Sequence, residues 1–400
     1  MDINTAKQMV IDAGNRLVKE GLIARTWGNV SCRVDEKTFV ITPSGRPYDS
    51  LTPEQIVPMD IETLAWERDV KPSGEKGVHA EVYKARPDIN FVIHTHQDSA
   101  SVLSALHCDI RYIPEEAAKI IGPNVPFAGY GLPSSKTLIE NVANALKRDD
   151  IRTLLMAHHG ALCFGEDSEA AFAAAQTLEK VCELQIFTMY KKIYRDDIDS
   201  MEQFARGIAQ KEFGSSDVPP LEACISRRQG DGFVLNYTQA EKETEQASLS
   251  GSSSLSPEAV LHRAVYLDRP DINCIIRSFA PAIYAVSQRG QALKPQVDDF
   301  AQIVGVDARV ADFDKNNAER TAKQCVKALK GRHAVLIKDG GALCCGIDEK
   351  DAEAVEMITE KNSMVTLATI LFNVNLPISA LHSRLMRFVY LKKYSKQAGK

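Results

Sequence analysis

The sequence predicts two tandem copies of one α/β domain, and two observations carry that prediction. Over residues 3–192, short apolar strands alternate with amphipathic helices, the pattern of an α/β or α+β domain. Two blocks of the first half then recur, in order, in the second. Val-Tyr-Lys-Ala-Arg-Pro-Asp-Ile-Asn at 82–90 is answered by Val-Tyr-Leu-Asp-Arg-Pro-Asp-Ile-Asn at 265–273, an offset of 183. Gly-Ala-Leu-Cys-Phe-Gly at 160–165 is answered by Gly-Ala-Leu-Cys-Cys-Gly at 341–346, an offset of 181. A 400-residue chain has room for two domains of about 100–200 residues each.

Each element has a local reason. Residues 3–22 are predicted helical because Met9, Val10, Ala13, Leu17 and Val18 share one stripe and Gly21 stops it. Trp27-Gly28 turns into an alternating strand that reaches Val34, and a second strand at 38–42 runs into Pro43-Ser44-Gly45. The loop Lys71-Pro72-Ser73-Gly74-Glu75 precedes a helix over 76–85, with Val78, Val82 and Ala85 inward. Then come a strand at 91–96, a helix at 99–106, and a loop rich in Gly and Pro at 122–134. A helix at 135–147, a strand at 153–158 and an Ala-rich helix at 168–192 close the first half. Gly, Ser and Pro accumulate at 213–222, which reads as a linker between a domain at 1–212 and its copy at 223–400.

Composition excludes several classes. Hydrophobic residues at 44% and charged residues at 25% are those of a globular protein with a sizeable core. A net charge of −5 argues against a nucleic-acid surface, which needs a basic excess. No stretch approaches the roughly 18–20 apolar residues of a membrane span, and the N-terminus lacks the apolar centre of a signal peptide. Nine irregularly spaced cysteines do not form a disulfide framework, so a cytoplasmic protein acting on a small molecule is expected.

The chemistry gathers at Phe91-Val92-Ile93-His94-Thr95-His96. Residues two apart on a strand share a face, so His94 and His96 project together from the end of a buried strand. Two imidazoles so placed make two-thirds of a divalent-metal site, for which zinc is the commonest occupant. A second apolar run, 154–157, ends in His158-His159-Gly160, and in an extended chain only one of these two histidines can reach the metal. The duplication supplies an internal control. In the copy His94 becomes Arg277, His96 becomes Phe279 and His159 becomes Gly340, whereas Glu75 and His79 persist as Glu258 and His262. Joint loss is what one shared metal predicts, and survival marks His79 as structural. His107 has no supporting context.

Gly28-Asn29-Val30-Ser31, Thr42-Pro43-Ser44-Gly45, Ser73-Gly74-Glu75, His94-Thr95-His96 and His158-His159-Gly160 together resemble the class II aldolase/adducin family, in order and spacing over nearly all of residues 1–200. The second half resembles a degenerate member. The resemblance implies an α/β/α sandwich on a mixed, mainly antiparallel sheet, and assembly as a fourfold ring with active sites between subunits. It further implies that His94, His96 and His159 bind Zn2+, with Mn2+ or Co2+ as alternatives, and that Glu75 is the acid/base group. Gly28, Asn29, Ser44, Gly45, Ser73 and Gly74 would surround a substrate phosphate, a role that glycine backbone and Asn or Ser donors suit. The copy would replace partner subunits, so that a homo-oligomer as small as a dimer mimics the ring.

A zinc ion with open positions is a Lewis acid that stabilises an enediolate. Glu75 would shuttle the proton. Retro-aldol cleavage of a ketose 1-phosphate to dihydroxyacetone phosphate and an aldehyde is the expected reaction. Decarboxylation of a phosphorylated 3-oxo sugar acid and 4-epimerisation are the alternatives. Family aldolases carry a leaving-group tyrosine where this sequence has Glu115, with Tyr112 nearby; these two are the candidate accessory acids. That departure favours decarboxylation, which needs no such acid. A metal-free, adducin-like scaffold is the non-enzymatic alternative.

Overall fold

The computed structural model describes residues 1–23, 27–67, 69–108, 110–148, 150–214, 223–238, 244–251 and 254–393. Packing divides the chain into two units, whose main segments are Met1–Arg195 and Asp196–Phe388.

The first unit runs α1 (Ile3–Lys19), β1 (Asn29–Arg33), β2 (Thr38–Ile41), β3 (Val57–Asp60), α2 (Lys76–Ala85), β4 (Phe91–Thr95), α3 (Asp98–Leu106), α4 (Glu115–Ile121), β5 (Phe127–Ala128), α5 (Lys136–Ala145), β6 (Thr153–Met156), β7 (Gly160–Gly165) and α6 (Ser168–Tyr194). Its sheet has the order β3-β2-β1-β4-β7-β6-β5 and is antiparallel except for the β5–β6 pair. The central strand β4 is buried at all five positions, so both sheet faces are covered. Val92, Leu154, Leu162 and Phe164 pack under α2 and α5. Phe91 and Ile93 turn to the other face, and α1, α3 and α6 pack on β1, β4 and β7. The result is the expected α/β/α sandwich on a mixed, mainly antiparallel sheet.

Local chemistry sets the element ends. Asp2 caps α1 by accepting from the Thr5 N–H, and the helix stops at Lys19, short of the predicted residue 22, because Gly21 takes φ 71°. The residues after His159, read from sequence as a glycine turn, instead form β7. That strand is buried at all six positions, so it shows none of the alternation by which a half-exposed strand is recognised.

The second unit repeats the plan: α7 (Met201–Phe213), β8 (Cys224–Gln229), β9 (Gly232–Tyr237), β10 (Glu245–Ser248), α8 (Pro257–Asp268), β11 (Cys274–Ser278), α9 (Pro281–Gln288), α10 (Asp298–Ile303), β12 (Arg309–Ala311), α11 (Ala318–Leu329), β13 (Ala334–Ile337), β14 (Ala342–Gly346) and α12 (Glu349–Leu371), followed by α13 (Ala380–Lys393), whose residues from Val389 on are grouped with the first unit. Its sheet order, β10-β9-β8-β11-β14-β13-β12, is the first sheet's order element for element. Even the helix braces recur. Glu179 accepts from the Ser99 and Ala100 N–H groups at the start of α3, and Glu360 accepts from Ala282 and Ile283 at the start of α9. Packing puts α7 with the second unit, although the sequence boundary at 212 puts it with the first. Of the predicted linker, residues 215–222 lie outside the described residues. Among the described residues no helix is long and apolar enough to cross a membrane.

The two units share a matched pair of buried histidines, His79 and His262, that burial keeps neutral. The desolvation that depresses His79 and His262 brings both from the usual 6.5 down to about 3. The unfolded chain takes up protons at these positions below about pH 6.5 and the folded chain does not, so stability is complete above 6.5 and is lost as pH falls toward 3. Each histidine contributes a slope of about 1.4 kcal/mol per pH unit within that window. Urea unfolding at pH 7 and at pH 5 should show that fall, and His79→Asn should remove the first unit's share of it while the share of His262 remains.

Candidate active site

The site is built where β1, β4, α2 and the β6–β7 turn converge. Register pairs Asn29 with His94 across β1 and β4. His94 follows Val92 onto the sheet face covered by α2, whose N-terminus carries Glu75. Between β6 and β7 the chain turns at His158, which takes φ 61°, and His159 closes the turn through its N–H to the Met156 carbonyl at 3.0 Å. Gly160 is required next: at φ 138°, a Cβ there would lie 2.3 Å from the Thr95 carbonyl oxygen. This turn, rather than strand alternation, separates the two histidines. It corrects the extended conformation expected for 153–158.

His94, His96 and His159 come together, with one ring nitrogen from each lying within 4.8 Å of the others. All three are buried. His94 Nδ1–H donates to the Ala161 carbonyl at 2.9 Å, which leaves its Nε2 lone pair facing inward. The Nε2 atoms of His94 and His96 are 2.9 Å apart; two nitrogens on one tetrahedral zinc at bond lengths of about 2.0–2.1 Å stand about 3.3 Å apart, so a small outward shift would admit the ion. Burial, with His96 and His159 adding to it, holds His94 well below the usual imidazole range despite Glu75, so the ring is in its metal-binding, neutral form. This donor set suits a borderline cation such as zinc.

Glu75 faces that cluster, with Oε1 2.6 Å from His159 Nε2 and Oε2 3.3 Å from His94 Nε2. Burial pushes its carboxyl up, but His159, His94 and the Asn29 amide outweigh burial and hold it well below the usual carboxylate range. The orienting partners form a chain whose directions follow from the donors available. Tyr83 O–H donates to Ser31 Oγ, Ser31 O–H to His79 Nδ1, His79 Nε2–H to Asn29 Oδ1, and Asn29 Nδ2–H to Glu75 Oε2. The Asn29 amide therefore braces the carboxylate, a contact beyond the phosphate role that the resemblance implies for it. Sequence reasoning missed this chain because its links come from residues about 50 positions apart.

The two remaining loops lie side by side. Pro43 bridges Pro72, Ser44 N–H donates to the Lys71 carbonyl, and Ser73 N–H donates to the Thr42 carbonyl. Ser44 and Gly45 thereby run next to Ser73 and Gly74, and the latter pair leads straight into Glu75. Gly28 precedes Asn29 at φ 95°, where a Cβ would lie 2.6 Å from the His94 carbonyl oxygen. Gly74 leaves no space for a side chain against Ser134 Oγ. Glu115 and Tyr112 stand apart from this group. Glu115 opens α4 with its side chain 90% exposed beside Lys119, and Tyr112 is 67% exposed in the preceding loop.

The second unit fills the equivalent positions differently. Arg277 pairs with Cys224 across β8 and β11, as His94 pairs with Asn29. Its guanidinium is buried, lies 4.7 Å from the Phe279 ring centroid and places Nε 3.4 Å from Glu258 Oε2. A Cβ at residue 340 would come within 3.1 Å of Arg277 Nη2, so glycine makes room for the guanidinium where the first unit has His159. The three substitutions thus form one change: a covalently fixed cation faces Glu258 where three imidazoles gather at Glu75 in the first unit. Arg277→Ala strands Glu258 and is expected to cost the second unit about 3–5 kcal/mol in denaturant unfolding. The Tyr266–Ser226–His262 network persists, but its next neighbour is Cys224, with Sγ 3.9 Å from His262 Nε2.

Known proteins resemble both copies in sequence. The profile of the family "Class II Aldolase and Adducin N-terminal domain" matches residues 8–186 and again 226–366. L-fuculose phosphate aldolase of Escherichia coli K12 is 33% identical over 189 residues, 47% of this chain and 86% of that one. The 5-deoxy-D-ribulose 1-phosphate aldolase of Bacillus thuringiensis is 30% identical over 210 residues, 52% of this chain and 96% of that one. A solved L-fuculose 1-phosphate aldolase is 28% identical, spans 49% of this chain and 90% of its own, and superposes with a TM-score of 0.44. With the family profile matched twice and an intact histidine cluster in the first copy, the chain belongs to the class II aldolase and adducin family as a tandem duplication, and it is a carbon–carbon lyase.

Proposed function

We propose that the first copy, residues 1–212, is a zinc-dependent aldolase that cleaves a ketose 1-phosphate to dihydroxyacetone phosphate and an aldehyde. One observation carries the reading: three buried imidazoles meet beside a buried carboxylate held well below its usual range. His94, His96 and His159 would hold the cation, which when bound supplies Lewis-acid stabilisation of negative charge on adjacent substrate oxygens. Glu75, held ionised, takes a proton at its carboxylate oxygen and returns it. Asn29 keeps that carboxylate oriented. Gly28 and the 44–45 and 73–74 loops accept the substrate phosphate through backbone N–H groups and serine hydroxyls. The two curated relatives, named for ketose 1-phosphates, support this substrate class.

Decarboxylation of a phosphorylated 3-oxo acid is the second reading. It is favoured by Glu115 standing where the resemblance places an aldolase tyrosine. Free cysteines throughout the described residues are in keeping with a cytoplasmic setting, and homo-oligomeric assembly is part of the proposal. Zinc-loaded full-length protein, screened against ketose 1-phosphates and phosphorylated 3-oxo acids, should release dihydroxyacetone phosphate from the former. Release of carbon dioxide from the latter alone would replace the first reading with the second. Light scattering reports the assembly.

A further inference from the structure

The structure brings together two histidines that the chemistry above does not use. His107 ends α3 at φ 52°, and His158 sits in the β6–β7 turn at φ 61°. Their Nε2 atoms are 3.2 Å apart and their rings meet edge to face at 4.9 Å. Phe127 lies against His107 and Tyr130 against His158, and the His158 N–H donates to the Ser104 carbonyl in the last turn of α3.

Both positions lie in left-handed backbone, which glycine adopts freely and which Asn, Asp and His occupy more often than other side chains. The copy uses the residues such backbone prefers. His107 corresponds to Gly290 at φ 61°, and His158 to Asp339 at φ 54°. The fold therefore makes both turns without histidine. Groups that serve the fold survived duplication: His79 as His262, and Glu179 as Glu360. The His107–His158 pair disappeared together with the three ligand histidines, so it sorts with the metal centre and not with the framework.

We propose that His107 and His158 form a positioning brace for the metal centre: their hydrogen bond ties the C-terminus of α3 to the turn that presents His159. The inference rests on the metal reading of the first copy. Hydrogen-bonded groups that orient ligands typically alter metal affinity 10–100-fold when removed. In full-length protein, His107→Gly should weaken Co2+ and Zn2+ binding, measured by chelator competition, about 10-fold or more. Its thermal midpoint should hold or rise by about 2 °C, because glycine suits that backbone. His158→Asn should weaken binding similarly, and the double variant should lose no more than either single one. Wild-type affinity in His107→Gly, or a lowered midpoint with affinity intact, overturns the brace and leaves the metal reading standing. A wild-type chain that takes up neither cation overturns the metal reading and the brace with it.

Discussion

Glu75→Gln is expected to lower kcat by about 10²–10⁴-fold while the protein keeps its metal. The substitution preserves size and lets the side chain still accept from the Asn29 amide, which lies 2.9 Å from Oε2. It removes the capacity to take up and return a proton, together with the negative charge that faces His159 and His94. Glu75 is also among the most constrained groups in the chain, touched by His159, His94 and Asn29 together. Steady-state kinetics with metal analysis on the same sample check this. A kcat within about threefold of wild type would remove Glu75 from the mechanism.

The larger effect is expected for the ligands. His159→Ala should lower activity by about 10³-fold or more and release the metal, because two imidazoles and no carboxylate ligand hold zinc poorly. His94→Ala should do the same and in addition leave the Ala161 carbonyl, 2.9 Å from Nδ1, without its donor. Neither should unfold the second unit, whose own cation is covalent. The contrast with Arg277→Ala is informative: losing the cation costs the first copy chemistry and the second copy stability.

What the sequence made legible follows from how local each cause is. His94 and His96 could be paired on paper because a two-residue strand period needs nothing beyond β4 itself. Choosing His159 over His158 could not be done that way. The choice depends on a left-handed residue in the turn, and no local pattern marks a histidine at φ 61°. β7 was hidden because burial on both faces erases alternation. The work of Asn29 was invisible because His79 and Glu75 reach it only once α2 crosses the end of β1. Arg277 was legible as a substitution and illegible as a solution. Only the packed fold shows that Phe279 and Gly340 accommodate the same guanidinium.

Under the proposed function, one divalent cation belongs to the first copy and none to the second. Metal analysis of full-length protein after equilibration with zinc and removal of the excess tests it most directly, beside the His94→Ala/His96→Ala/His159→Ala triple variant. The expected result is about one equivalent per chain in the wild type and none in the triple variant. A wild-type chain without metal, or a triple variant that keeps it, would contradict the account and favour a scaffold of the adducin kind.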